Sequence, residues 1–283
     1  MDDLPQDLPP PSVAFSDTDP HAGPRFSRAS AALVVAVGGF DPSGGAGVVR
    51  DLLTARTLGA AVRLVPTAWT AQSAAGVRSV EPRTPAALAQ AVADALVAAP
   101  AHTAIKLGMM PDAAAARAVL EALRAFTGPV VFDPVLGASS GGALFVGDPG
   151  ALLDLASRAT VVTPNAIEAA LLSGQAIIDD AEAATEAGRR LVAAGARAVL
   201  VKGGHLTGAT AVDVLVTPTG VNLFAADRLS GPPVRGTGCA LATAIAVALG
   251  RGRALVDAVS EAKLWLHQAL GRALPVGDEW HLD

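Results

Sequence analysis

One run near the C-terminus, Arg235-Gly236-Thr237-Gly238-Cys239, has the residue types of a group-transfer site and leads straight into an apolar helical stretch, Ala240–Leu249. Its two glycines permit a tight turn and leave the N–H groups of the first helical turn uncovered. Those donors, with roughly half a positive charge from the helix dipole, form an anion site. Cys239, the chain's single cysteine, stands at its mouth, where a thiolate is stabilised. An anion hole beside one reactive side chain points to group transfer, with phosphoryl transfer the leading candidate. Taken alone, the same run also describes a glycine-capped helix with an inert cysteine, so the rest of the chain must decide.

Other polar residues follow apolar runs in the same way. Gly38-Gly39-Phe40-Asp41-Pro42-Ser43-Gly44-Gly45-Ala46-Gly47 follows the first, and Thr70-Ala71-Gln72 the second. Gly108-Met109-Met110, Asp133-Pro134, Thr163-Pro164-Asn165 with Glu168, and Lys202-Gly203-Gly204-His205 follow later ones. Gly44–Gly47 matches neither the P-loop nor the dinucleotide fingerprint, so it reads as a close-approach loop. Asp51, one to two turns into the next helix, is placed either to accept hydrogen bonds from a ligand or as a solvated helix charge. Asp133 and Glu168 suit Mg²⁺, held directly or through water. Asn165 and Glu168 also resemble a capping box, and the two roles are compatible. Lys202 ends an apolar strand, where an ammonium needs an anionic partner such as phosphate. His205 reads as a loop hydrogen-bonder, because no second histidine has ligand spacing.

These residues need a frame that brings them together. Apolar runs predict strands at Leu33–Val37, Val62–Thr67, Thr103–Leu107, Val130–Phe132, Ala159–Val162 and Ala198–Val201. Helical patterns lie between most of them, including Pro85–Ala98, Ala113–Phe126 and Ala181–Ala194. The alternation predicts an α/β fold, a mainly parallel sheet with helices on both faces. Val212–Val216 and Val221–Phe224, joined through Pro218-Thr219-Gly220, read as a hairpin at the sheet edge. In such a sheet ligands bind beyond the carboxyl ends of the strands, so the polar runs converge on one edge.

Composition narrows the function. Lys+Arg 21 against Asp+Glu 26 gives a net charge of −5, which argues against general nucleic-acid or anionic-membrane binding. One cysteine excludes an internal disulfide and a cysteine-based zinc site. No apolar run reaches the ~20 residues of a spanning helix. Residues 1–30, rich in Asp, Pro and Ser, read as a disordered tail without the features of a signal peptide, and residues 31–283 as one domain in a cytoplasmic protein.

Seven pieces together resemble the hydroxymethylpyrimidine/phosphomethylpyrimidine kinases of thiamine biosynthesis, in the ribokinase-like superfamily. They are Asp41-Pro-Ser-Gly-Gly-Ala-Gly47, Thr70-Ala-Gln72, Lys106-Leu-Gly-Met109, Asp133-Pro-Val135, Thr163-Pro-Asn165 with Glu168, Val201-Lys-Gly-Gly-His205 and Gly236-Thr-Gly-Cys239. Glu261-Ala-Lys-Leu-Trp265 also looks like the family's last helix, and the likeness runs in family order from Leu33 to about Leu270. The resemblance implies a ribokinase-like fold and ATP with Mg²⁺ as phosphoryl donor. The acceptors it implies are an aminopyrimidine alcohol, a small-molecule substrate, and that alcohol's monophosphate. It implies Asp51 and Gln72 on the pyrimidine, Gly39 and Met109 lining its pocket, Lys202 and Asn165 on the nucleotide side, and Asp133 with Glu168 on magnesium. Gly236, Thr237 and Gly238 become the anion hole and Cys239 the base; a homodimer is also what the likeness suggests.

Four departures from the family pattern bear on the acceptor. Ala138-Ser139-Ser140-Gly141-Gly142 lacks the usual lysine and aspartate, and Leu229–Val234 looks shortened. Arg235 replaces a histidine and supplies a guanidinium suited to phosphate. The usual glycine-rich, histidine-containing C-terminal motif is missing from Pro275–Asp283. Two alternatives therefore stay open: a pyridoxal or pyridoxine kinase of the same superfamily, and a catalytically degenerate aminopyrimidine-binding paralogue.

Overall fold

Leu33–Phe40 (β1) begins Leu-Val-Val-Ala-Val, the continuous apolar run of a strand covered on both faces. The computed structural model describes residues 32–73, 76–138, 141–206 and 210–282; the expected N-terminal tail and Ser139 lie outside them. Val35 and Val37 pack into one helix layer, and Ala32 and Val34, on the alternate positions, into the opposite one.

The other strands of this sheet are β2 (Ala61–Ser73), β3 (Gly76–Pro82), β4 (Thr103–Leu107), β5 (Val130–Phe132), β6 (Val161–Val162), β7 (Val199–Val201), β8 (Thr210–Thr217) and β9 (Gly220–Asp227). Their order is β3-β2-β1-β4-β5-β6-β7-β8-β9. Strands β2 to β7 in that order run parallel, while β3, β8 and β9 pair antiparallel at the two edges. The chain leaves β1 outward to β2 and β3, then returns on the other side of β1 as β4. That reversal is the switch point at which open α/β sheets form their ligand crevice.

One face is covered by α2 (Pro85–Leu96), α3 (Ala113–Ala122), α4 (Leu153–Arg158), α5 (Ala166–Ser173) and α6 (Ala181–Ala193). The other is covered by α1 (Gly47–Thr57), α7 (Thr237–Gly250) and α8 (Leu255–Leu270). Helix α7 is apolar all round, which fits its position between sheet and α8. A second, small sheet joins β10 (Val234–Arg235), β11 (Leu274–Val276) and β12 (Glu279–His281), with β12 in the middle and parallel to β10. It brings the C-terminal segment beside the residue that precedes Gly236.

The structure departs from the sequence expectations at several elements. β2 continues to Ser73, so Thr70–Gln72 lie inside a strand; beyond Thr67 it pairs with β3, which the sequence reading missed. Ala68 and Thr70 are buried while Trp69 between them is exposed, the alternation of a strand with one open face. The strand expected at Ala159–Val162 shortens to β6, because Ala159 caps α4. The late hairpin is found, two to three residues longer at its outer ends than expected. Among the described residues no helix is long and apolar enough to cross a membrane.

Candidate active site

The anion hole forms where two glycine loops interlock. Gly236 caps α7 at φ 72°, and a Cβ there would sit 2.1 Å from the carbonyl oxygen of Gly45, so only glycine fits. The backbone N–H of Gly47, at the start of α1, favours the ionised form of the Cys239 sulfur. The N-terminal ends of α1 and α7 therefore meet at this one side chain. Burial pushes the Cys239 thiol above its ordinary value; Lys106 and Gly47 oppose that, and Asp51 and Asp133 reinforce it. This corrects the expected depressed thiolate: although Cys239 keeps a partial opening to solvent, it rests as a thiol at neutral pH.

Lys202 and Asp133 face the same helix end. Lys202 Nζ lies 2.6 Å from Asp133 Oδ1 and 3.9 Å from Glu168 Oε2. A Cβ on Gly238 would be 3.1 Å from Lys202 Nζ and 3.8 Å from Asp133 Oδ2, so the first turn of α7 abuts this ion pair. Thr163 Oγ1 donates to Asp133 at 3.2 Å. Burial would lower the Lys202 ammonium, but Asp133 and Glu168 more than offset it and hold it raised.

The capping box expected at α5 is present: the Glu168 N–H donates to Asn165 Oδ1 at 2.9 Å, and the Asn165 N–H to Glu168 Oε2 at 2.7 Å. Burial, reinforced by Asp133 and opposed by Lys202, pushes the Glu168 carboxyl up to about 7. Among the described residues no three His, Cys, Asp or Glu side chains are grouped to hold a metal. Two carboxylates around one ammonium fit an ion that keeps its waters and takes phosphate oxygens, as Mg²⁺ does, better than a closed protein cage.

Two residues the sequence reading passed over position Lys202. Asp213 on β8 accepts the Gly203 N–H at 2.7 Å, and Lys263 of α8 pairs with Asp213 at 2.9 Å. Asp213 is the lone acid inside an apolar strand, a signal that was available. Of the two placements expected for Asp51, the structure excludes the solvated helix charge. The side chain is fully buried, with Oδ1 accepting from Thr243 at 2.8 Å and both oxygens within 3.0 Å of Lys106 Nζ. Thr243 is one turn beyond Cys239 on α7, so this pair lies beneath the sulfur.

On the other side of the switch point, Gly39 abuts Met109: a Cβ on Gly39 would meet the Met109 sulfur at 2.6 Å and Thr70 Cγ2 at 3.7 Å. Gln72 donates to Thr70 Oγ1 at 3.1 Å and accepts from Arg235 at 3.2 Å. A separate cavity of about 440 Å³ lies between α6 and the β8–β9 turn, lined by Arg189, Val216, Thr217 and Val221 among others. It carries no carboxylate, cysteine or histidine and is remote from these residues.

The family model described as phosphomethylpyrimidine kinase matches residues 41–282. The chain belongs to this family. A hydroxymethylpyrimidine/phosphomethylpyrimidine kinase of Rhizobium meliloti is 41% identical over 245 residues, covering 86% of this chain and 91% of that one. A phosphomethylpyrimidine kinase of Clostridium difficile, 29% identical, superposes with a TM-score of 0.71 over 84% of this chain and 99% of its own. A Bacillus subtilis pyridoxal kinase in an ADP complex, 26% identical, gives 0.81 over 90% and 97%. The ribokinase-like fold and a place among phosphotransferases follow.

The phosphomethylpyrimidine kinase match extends through the C-terminal strand β12, a strand which the sequence reading left out. Arg235 Nη1 lies 2.8 and 2.7 Å from the two Glu279 oxygens, and Nη2 3.3 Å from Asp41 Oδ2. The guanidinium expected to contact phosphate is thus engaged by two of the protein's own carboxylates. His281 Nε2 is 3.1 Å from Glu279 Oε2, and the Arg50 guanidinium donates to the Leu282 carbonyl at 3.0 Å. Parallel pairing of Arg235 with His281 sets this register, a contact between residues far apart in sequence.

Proposed function

We propose that this protein transfers the γ-phosphoryl group of ATP to 4-amino-5-hydroxymethyl-2-methylpyrimidine, and then to its monophosphate, giving the diphosphate. The observation that carries the reading is the meeting of Lys202, Asp133 and the Gly238 turn at the N-terminus of α7, next to Cys239. In this reading the acceptor lies at the switch point against Gly39, Met109 and Gln72, with Asp51 beneath it, and the nucleotide phosphates lie toward Lys202 and Asn165.

The acceptor hydroxyl oxygen forms a bond to the γ-phosphorus as the bond to the β–γ bridging oxygen breaks and ADP leaves. Cys239 first gives up its thiol proton to solvent, its thiolate held by the positive ends of α1 and α7 and the Lys106 ammonium, and that thiolate then takes the hydroxyl proton. Backbone N–H groups of Thr237, Gly238 and Cys239 stabilise the charge on the phosphoryl oxygens. Asp133 and Glu168 are the residues that would hold Mg²⁺, which would neutralise the phosphate charge. The Rhizobium relative's 41% identity favours the pyrimidine. The higher TM-score with a pyridoxal kinase concerns fold, which does not select an acceptor.

Turnover with ATP and Mg²⁺ on a panel of the pyrimidine alcohol, its monophosphate and pyridoxal tests the assignment. Phosphorylation of the pyrimidine is expected; clear turnover of pyridoxal with none of the pyrimidine would overturn it. Glu168→Gln tests the magnesium side. The amide keeps an oxygen for the Asn165 N–H but loses the charge, so the Mg²⁺ concentration for half-maximal rate should rise with the fold intact. An unchanged Mg²⁺ requirement with a lower melting temperature would make Glu168 a cap and nothing more.

A further inference from the structure

The Arg235 fork is already filled by the protein itself. Its Nη1 engages both oxygens of Glu279 and approaches Ser43 Oγ at 3.4 Å, while its Nη2 faces Asp41 and Gln72. A phosphate monoester is drawn to the same N–H groups as a carboxylate, so the two compete for one guanidinium. Arg235 contributes one positive charge, and Asp41 and Glu279 two negative ones. A dianionic acceptor therefore meets a cluster with a net negative charge, whereas a neutral alcohol is indifferent to it. Burial pushes the Glu279 carboxyl up, but hydrogen bonds from Arg235 and His281 outweigh that and hold it below its ordinary value, so it stays a carboxylate.

Glu279 is also the member of this cluster best placed to withdraw. Asp41 is fully buried and its Oδ1 accepts the Ser43 N–H at 3.0 Å. Glu279 stands on a three-residue strand whose outer neighbour, β11, is exposed along its length. Besides Arg235, His281 pairs with Glu279, and Asp41 shares the same guanidinium.

We propose that Glu279 sets acceptor selectivity: it occupies the Arg235 fork as a stand-in for phosphate, and the phosphorylated acceptor must displace it. The inference rests on the acceptor site assigned above. Glu279 acts through Arg235 and is a positioning and specificity residue.

The test compares the native protein with Glu279→Gln, using kcat and KM for the alcohol and for the monophosphate at saturating ATP and Mg²⁺. Removing one like charge beside the fork should lower the monophosphate KM about tenfold and move the alcohol KM by less than about twofold. The gain should vanish in Arg235→Gln/Glu279→Gln, which has no fork. Should Glu279→Gln fold poorly, Glu279→Asp withdraws the carboxylate by one methylene and should shift selectivity the same way by less. An unchanged or raised monophosphate KM, or equal changes on both acceptors, would make Glu279 a fastener of the C-terminal strand and overturn the proposal. Inorganic phosphate supplies a readout that needs no turnover: it should raise the melting temperature of Glu279→Gln more than that of the native protein. If the native protein phosphorylates neither pyrimidine while this difference holds, the acceptor assignment fails and the fork competition stands. If the pyrimidines are turned over and the difference is absent, the fork competition alone fails.

Discussion

Cys239→Ala should lower kcat by about 10²–10⁴-fold, the usual effect of removing a general base, while ATP affinity stays near that of the native protein. The separation follows from geometry. The anion hole is built from backbone N–H groups fixed by Gly236 and its contact with Gly45, and alanine at position 239 leaves that backbone in place. The pH profile adds a second signature. A base works in its deprotonated form, and burial raises the Cys239 thiol, so the native rate should keep rising with pH into the alkaline range. The residual rate of the alanine variant should lack that rise. Steady-state rates from neutral to alkaline pH, with nucleotide binding measured by calorimetry, check both. A variant that retains native kcat would return Cys239 to packing.

The residues that a local pattern can announce were legible in the sequence. The parallel strands are continuous apolar runs, and the Asn165–Glu168 cap lies within four residues of chain. Gly236–Cys239 combines a turn and an apolar helix in one segment. What stayed hidden depends on partners distant in sequence. β10 and β12 are two and three residues long and exist because Arg235 meets His281 across the molecule, which no periodicity encodes. β3 was missed for a related reason: its residues are mostly half-buried or exposed, so it lacks the apolar run of a central strand. Charge is the third blind spot. Position alone left Asp51 open between a ligand acceptor and a solvated charge and offered Arg235 only a phosphate, and the packed structure supplies Lys106 to the one and Glu279 to the other.

Lys106→Met should destabilise the fold by about 3–5 kcal/mol at neutral pH, the usual cost of leaving one member of a buried ion pair alone. Lys106 and Asp51 are both essentially inaccessible, and they tie β4 to α1; Thr243 extends the link to α7. Burial would lower the Lys106 ammonium, but Asp51, Cys239 and Asp133 together hold it raised, so the proton stays on the lysine. Burial raises the Asp51 carboxyl against the opposing pull of Lys106 and Thr243. Removing the ammonium takes away the larger part of that opposition, so in the variant Asp51 rises further and prefers its protonated form. A carboxyl raised in the folded state contributes stability below its unfolded value, near 4, and loses it as pH climbs through the folded value. The deficit of Lys106→Met should therefore be small at about pH 5 and grow toward pH 8, as urea denaturation at several pH values will show. Adding Asp51→Asn removes the orphaned charge and should recover much of the loss at pH 8 with little effect at pH 5. A deficit that does not vary with pH, or no recovery in the double variant, would mean that Lys106 acts through its aliphatic packing and that the charge beneath Cys239 does not hold these elements together.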